Sequence, residues 1–232
     1  MADKAGDGTL RRKVLGLIGG ALVASLTGCG VLFPTTYRFR MTVEVDTPEG
    51  VKTGSSVYEV AAANTLEFLP EGAKRTWDVK GEAVAVDLPG GRTMFALLRT
   101  NNLYRRDVAK MSMAALDPAF SYDIVESAGR IRRGERIRSP ARVPFDDYPR
   151  FVTFADPQNS MSVALVDPTN LAATFGPGVR LKAITVAITD DPVTTGVKKR
   201  LPKPPYGRPT IFQNHQTVEQ VDLKDFRSGL GK

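Results

Sequence analysis

Alternation of apolar and polar residues dominates the chain between residues 37 and 189. In residues 37–46 every second side chain is apolar, from Tyr37 to Val45, which is the period-2 pattern of a half-buried strand. Residues 82–88 alternate in the same way, and Pro89-Gly90-Gly91 then reverses the chain into residues 93–99. This pattern predicts a hairpin. Further strands are predicted at residues 57–61, 150–155, 160–166 and 180–189.

One segment has helical spacing instead. In residues 103–116 the side chains of Tyr104, Val108, Met111 and Ala115 fall on one face of a 3.6-residue period. Asp117 precedes a proline and so predicts the end of the helix. The expected fold class is therefore mainly β: an antiparallel sheet or sandwich with one or two short helices, after an N-terminal signal peptide.

The pattern of the first 28 residues is typical of such a signal peptide. An apolar run at residues 14–26 follows the basic triplet Arg11-Arg12-Lys13. As a helix the run spans roughly 20 Å, which is short of the ~30 Å hydrocarbon core of a membrane. The segment thus predicts export rather than a membrane-spanning helix.

The end of this leader, Leu26-Thr27-Gly28-Cys29, resembles the lipobox of bacterial lipoprotein precursors. The resemblance implies a diacylglyceryl thioether on Cys29, cleavage after Gly28, and acylation (palmitate-type chains) of the new amino terminus. Arg11 and Arg12, with the two residues after Lys13, resemble a twin-arginine signal, and general secretion remains the alternative. Gly30 resembles the residue that follows the cysteine in lipoproteins sorted to the outer membrane, which favours that membrane over the inner one.

Four regions are predicted on this basis. Residues 1–28 form the signal peptide and residues 29–36 a lipidated tether. Residues 37–195 form a single β-rich domain. Residues 196–232 are basic and proline-rich, which is typical of an extended tail.

A run of arginines in residues 129–142 has two interpretations. It carries a single acid, Glu135, and six arginines: Arg130, Arg132, Arg133, Arg136, Arg138 and Arg142. Paired guanidinium donors suit phosphate or carboxylate groups, so the run is a candidate anion-binding site. It is also typical of a solvated edge or hairpin, and Ile131 and Ile137 indicate strand-like stretches within it.

Candidate catalytic chemistry is sparse. The only histidine, His215, lies in the predicted tail, no nucleophile elbow or phosphate-binding glycine pattern occurs, and no catalytic residue is assigned. The one cysteine, Cys29, leaves no partner for a disulfide, and no metal site is expected. Acid pairs at Asp146-Asp147 and Asp190-Asp191 leave a carboxylate hydrolase open.

The function expected from these features is a lipid-anchored protein of the cell envelope that faces the periplasm and acts by binding or scaffolding. The first alternative is a hydrolase active on cell wall or lipid through the paired acids. The second is a module that binds anionic lipid or polysaccharide through the arginine run. The expected partners are the membrane, through the lipid anchor, and an anionic lipid, a polysaccharide or another envelope protein. Without residues 1–28 the chain keeps 28 of its 32 Lys and Arg and 23 of its 25 Asp and Glu, and this net charge of +5 is too mild to indicate nucleic acid. No cofactor is expected beyond the covalent lipid.

Overall fold

A long hairpin forms the centre of the structure. The computed structural model describes residues 31–65, 75–102, 104, 107–135, 137–203, 211–214 and 219–228. Strand β1 (Val31–Thr47) pairs with β2 (Gly50–Thr65), and the apolar residues of β1 from Tyr37 to Val45 are buried, which confirms the alternation. Residues 31–36, which the sequence assigns to a tether, are part of β1 and pair with the end of β2.

The large sheet extends this hairpin on both sides in the order β3-β2-β1-β9-β6. Strand β9 (Arg180–Ile188), predicted from its alternation, pairs antiparallel with β1 and places Ile184 opposite Val43. Strand β3 (Arg75–Lys80) forms one edge, and the two-residue strand β6 (Ala141–Arg142) forms the other. The opposite face of β1 carries charged residues, and several of them pair with neighbouring strands, such as Arg180 with Asp46.

The small sheet has four antiparallel strands in the order β4-β5-β7-β8. It begins with the predicted hairpin of β4 (Val84–Leu88) and β5 (Arg92–Thr100), joined by a turn at Pro89–Gly91. Gly90 and Gly91 have φ angles of 77° and 70°, which glycine adopts without steric cost. Strands β7 (Pro149–Phe154) and β8 (Val163–Val166) complete the sheet close to the predicted positions.

The two sheets meet where β4 lies against β2. A Cβ atom built on Gly54 would lie 2.3 Å from the carbonyl oxygen of Ala85, so the two backbones approach more closely than any side chain allows. Beside this contact, the buried Ser56 hydroxyl donates to the carbonyl oxygen of Glu82 at 2.7 Å. One hydrophobic core therefore joins both sheets.

Four short α-helices are present among the described residues, more than the one or two expected: α1 (Val108–Leu116), α2 (Ile124–Arg133), α3 (Leu171–Phe175) and α4 (Leu223–Phe226). Helix α1 begins later than predicted because the Asp107 carboxylate caps it by accepting from the Lys110 amide. It packs on β1, where the buried Tyr37 hydroxyl lies 2.8 Å from Ser112 Oγ. In the part of the chain that the structure describes, no helix is long and apolar enough to cross a membrane.

Helix α2 corrects the interpretation of the arginine run as partly strand-like. Asp123 caps its start by accepting from the Glu126 amide, and Gly134 ends it at φ 69°. Ile124, Ala128 and Ile131 are buried on one face at helical spacing. As a helix, the segment packs this face against β1 and β2, whereas an edge strand would leave it exposed to solvent.

The described residues after position 196, which the sequence assigns to an extended tail, form further short elements. A 3₁₀ turn at Val197–Arg200 is followed by a ribbon of β10 (Ile211–Asn214) and β11 (Glu219–Asp222) and then by α4. Phe226 of α4 is fully buried, with its ring 5.6 Å from Phe95 and 6.2 Å from Phe154. Helix α4 therefore packs on the face of the small sheet that carries these two phenylalanines.

Candidate functional site

A surface cleft lies between the edge strand β3 and the C-terminal residues 224–228. Its volume is about 360 Å³. Val79, Leu98 and Val108 supply its apolar wall, and Trp77 stands at its side with 38% of its surface exposed. Ser228 and six charged residues complete the lining: Asp78, Arg99, Asp107, Lys224, Asp225 and Arg227.

The Trp77 ring is held in place by neighbours on helix α1. Its indole Nε1 donates to Asp107 Oδ2 at 2.9 Å, while Asp107 Oδ1 accepts from the Lys110 amide. Lys110 Nζ lies 4.2 Å from the centroid of the ring and makes a cation–π contact. The orientation of this exposed aromatic ring is thus fixed by the same aspartate that starts the helix.

Two buried polar atoms at the cleft have no hydrogen-bond partner. Asp225 is 4% exposed, and its Oδ2 caps α4 by accepting from the Asp222 amide at 3.0 Å. The other oxygen, Oδ1, accepts no hydrogen bond, and Arg99 Nη1 lies 3.6 Å away from it. Arg227 Nε is likewise buried and unpartnered. Within the described residues only the Tyr58 hydroxyl shares this condition, so two of three such atoms lie at one cleft, whereas buried polar groups are normally paired.

A second cleft of about 320 Å³ adjoins the first one. The two share Asp78, Arg227 and Ser228, and the second continues past Lys80 towards Thr194. Ser228 fixes the boundary between them, since its hydroxyl accepts from the Gly81 amide at 2.8 Å. The two clefts therefore form one groove along β3.

Three arginines of the run, Arg130, Arg133 and Arg142, have partners within the described part of the fold. Arg130 binds the buried Asp117 through Nε and Nη2 and also pairs with Glu126. These contacts raise the pKa of Arg130. Arg133 pairs with Glu135, and Arg142 on β6 donates to the carbonyl oxygen of Lys182 at 2.7 Å. Arg132 and Arg138 are exposed.

Several predicted site residues lie outside the described part of the chain. These are Arg11, Arg12, Leu26, Thr27, Gly28 and Cys29 of the leader, together with Arg136 and His215. The assignments of the signal peptide, the lipidation site and the Arg136 contribution therefore stay predictions.

The two acid pairs lie in separate places and have structural partners. Asp147 is buried before β7 and accepts from Asn102 Nδ2 at 2.8 Å, whereas Asp146 is exposed. Asp191 follows β9, where hydrogen bonds from Thr189 and Arg40 lower its pKa. Across the described residues no three His, Cys, Asp or Glu side chains are grouped so that they would hold a metal ion.

Three of the four aspartates that directly precede a proline hold a local turn. Asp117, Asp156 and Asp167 each accept a hydrogen bond from the backbone amide two residues further on, at 2.8 to 2.9 Å. They position turns. Asp117 has in addition the ion pair with Arg130, which joins the ends of α1 and α2.

Sequence reasoning missed the cleft because its residues come from four distant segments. Two local signals were available: Trp77 is the single tryptophan of the chain, and Asp222 and Asp225 have the spacing of a capping box. Neither signal indicates that β3, β5 and α4 meet. Comparison of the chain with protein-family models, curated proteins and solved structures finds no match.

Proposed function

We propose that this chain is a lipid-anchored protein of the cell envelope whose folded body faces the periplasm and acts by binding a ligand in the Trp77 cleft. The observation that carries the binding role is a preformed cleft whose lining residues Asp225 and Arg227 each hold a buried polar atom without a hydrogen-bond partner. Its volume of about 360 Å³ falls within the ~300–1,000 Å³ of small-ligand sites.

The anchor is supported by the leader and by the start of the fold. Cys29 ends the lipobox-like motif, and β1 begins two residues later, at Val31. The buried part of β1 starts at Tyr37. The eight residues before it, 29–36, would reach at most roughly 28 Å if they were fully extended. Lipid chains on Cys29 would hold the folded body close to the membrane surface, since each buried methylene contributes about 0.8 kcal/mol.

The anchor is tested by intact-mass analysis and membrane fractionation of the expressed protein. We expect a chain that begins at Cys29, carries acyl mass and sediments with membranes, whereas Cys29→Ala stays unmodified and leaves the membrane fraction. Gly30→Asp is the matched control, because it keeps the cysteine: it should remain anchored and move from the outer to the inner membrane. An uncut leader or an unmodified sulfur in the wild-type protein would overturn the anchoring.

The binding role is tested with the fluorescence of Trp77, which reports on the cleft alone because the chain has no other tryptophan. The full-length protein is titrated with the deproteinised soluble fraction of a cell-envelope extract, which keeps polysaccharides as well as small molecules. We expect a saturable change in emission that Arg227→Ala weakens. An emission spectrum that stays the same throughout the titration counts against the cleft as a binding site.

The geometry gives the hydrolase alternative less support than binding. Asp147 and Asp191 are engaged by Asn102 and Arg40, and the two pairs lie in different parts of the fold. A pair of carboxylates that flank one scissile bond must lie within ~10 Å of each other on either side of the substrate. Binding at the Trp77 cleft is therefore the function that the side-chain arrangement favours.

A further inference from the structure

We propose that the ligand of the Trp77 cleft is a neutral sugar unit of an envelope polysaccharide. This inference rests on the binding role proposed above and names its ligand class. It depends on three properties of the described residues: the balance of charge around the cleft, the fixed aromatic ring, and the continuation of the cleft along β3.

The charges around the cleft are balanced. Three cations, Arg99, Lys224 and Arg227, face three acids, Asp78, Asp107 and Asp225. A phosphate or carboxylate that reached Arg99 would also meet Asp225, whose Oδ1 is 3.6 Å from the Arg99 guanidinium. A cation that reached Asp225 would meet Arg99 in the same way. Ions of either sign are therefore disfavoured.

A hydroxyl group suits this mixture, because it both donates and accepts. The exposed carboxylate of Asp78 can accept from one hydroxyl, and the guanidinium groups of Arg99 and Arg227 can donate to others. Charge-assisted hydrogen bonds of this kind are stronger than those between neutral groups. A ligand that is rich in hydroxyl groups and has no net charge can form hydrogen bonds with the acidic and the basic residues of the cleft at once.

The Trp77 ring supplies the apolar half of such a site. Sugar rings carry C–H groups on their faces, and the negative face of an aromatic ring attracts such positively polarised hydrogens. The hydrogen bond to Asp107 and the contact with Lys110 hold the indole before any ligand arrives. A preorganised ring lowers the entropy lost on binding, and 38% of the Trp77 surface stays open.

The groove along β3 indicates a ligand longer than one ring. The second cleft adds about 320 Å³ and shares Asp78, Arg227 and Ser228 with the first. Arg227 lines both clefts and so can contact two consecutive units of a chain. A polysaccharide, rather than a free monosaccharide, makes use of the whole groove.

The test uses the full-length protein in a detergent without a sugar headgroup, with Trp77 fluorescence as the signal. The neutral probes are the tetramers of N-acetylglucosamine, glucose and mannose, and the anionic probes are inorganic phosphate and citrate. We expect a saturable emission change with at least one tetramer, weaker binding of its monomer, and no change with phosphate or citrate.

Variants locate the response in the cleft. Arg99→Ala and Arg227→Ala should each weaken tetramer binding about tenfold, the effect of losing one hydrogen bond to a charged group. Arg180→Ala is the control, because Arg180 is 80% exposed on the large sheet and pairs with Asp46. Trp77→Phe, measured by calorimetry, should keep some affinity, and Trp77→Ala should lose it. Circular dichroism checks that each variant folds. If Arg227→Ala does not fold, Arg99→Ala still tests the cleft, because the Arg99 side chain is 52% exposed and tolerates truncation.

The outcomes test separately whether the cleft binds a ligand and whether that ligand is a sugar. A response to the tetramers that the variants weaken supports the proposal. A response to phosphate or citrate alone overturns the sugar but keeps the cleft as a binding site. Tetramer binding that Arg99→Ala and Arg227→Ala leave unchanged places the sugar elsewhere and overturns the inference. If neither the probes nor the envelope extract changes the Trp77 emission, the binding role is overturned as well.

Discussion

Substitution of Asp117 should show most clearly whether the arginine run of residues 129–142 has a structural role or a functional one. Its side chain is 1% exposed. One oxygen, Oδ2, accepts from Ser127 Oγ at 2.5 Å and from Arg130 Nε and Nη2 at 3.0 and 2.7 Å, while Oδ1 accepts from the Ala119 amide at 2.9 Å. We expect Asp117→Asn to loosen the junction between α1 and α2.

The magnitude follows from how much of this contact is buried. Hydrogen bonds to charged groups contribute ~1.5–3 kcal/mol, and breaking a fully buried ion pair costs ~3–5 kcal/mol. Arg130 is 16% exposed and keeps Glu126 as a partner, so its charge is not stranded in the core. We therefore expect Asp117→Asn to lower the free energy of unfolding by about 2–3 kcal/mol at pH 7.

The assay is urea-induced equilibrium unfolding, followed by circular dichroism. The matched control is Asp87→Asn, which removes a carboxylate paired with Arg200 but 69% exposed. Exposed pairs contribute at most ~1 kcal/mol, so the control should stay near the wild-type value. A loss at Asp117 that does not exceed the loss at Asp87 would refute the structural role of the Arg130 contact.

The pH dependence gives a second test of the same contact. Burial acts to raise the pKa of Asp117, but the hydrogen bonds from Arg130 and Ser127 outweigh it and hold the pKa below its ordinary value. A depressed folded-state pKa stabilises the fold above the unfolded-state pKa, ~3.9, and the contribution is lost as the pH falls through the folded-state pKa. The difference between wild type and Asp117→Asn should therefore shrink below about pH 4. An equal difference at pH 7 and pH 3 would contradict this assignment.

Three other substitutions test the fold by urea unfolding. Phe226→Ala should cost about 3–5 kcal/mol, because it empties a fully buried aromatic site, whereas Leu165→Ala, at a residue 40% exposed, should cost less than ~1 kcal/mol; equal losses would mean that α4 is not part of the core. Gly54→Ala should cost at least ~1–3 kcal/mol, since the new Cβ would overlap a carbonyl group of β4, and Ser55→Ala on the exposed side is its control. Glu82 Oε2 accepts a hydrogen bond from a backbone amide at 2.6 Å, and glutamine would keep an acceptor there. Glu82→Ala should therefore cost about 1–3 kcal/mol and Glu82→Gln less. The reverse order would show that the charge, not the hydrogen bond, matters.

The sequence by itself determined the elements whose pattern repeats locally. Alternation identified β1, β9 and the β4–β5 hairpin, because successive side chains of a strand point to opposite faces whatever the strand pairs with. The turn glycines Gly90 and Gly91 and the Asp117-Pro118 boundary are equally local. These signals were sufficient for the mainly β class, and the leader and Cys29 were read in the same local way.

Only the tertiary structure decided which distant segments meet. Residues 124–133 form a helix although they carry the arginines, because Ile131 gains a buried site and Arg130 gains Asp117. Helix α4 packs on the small sheet because Phe226 gains a buried site beside Phe95. The Trp77 cleft exists only where β3, β5, the start of α1 and α4 come together. Such contacts join residues far apart in sequence, and their energy depends on burial that no local pattern of residues records.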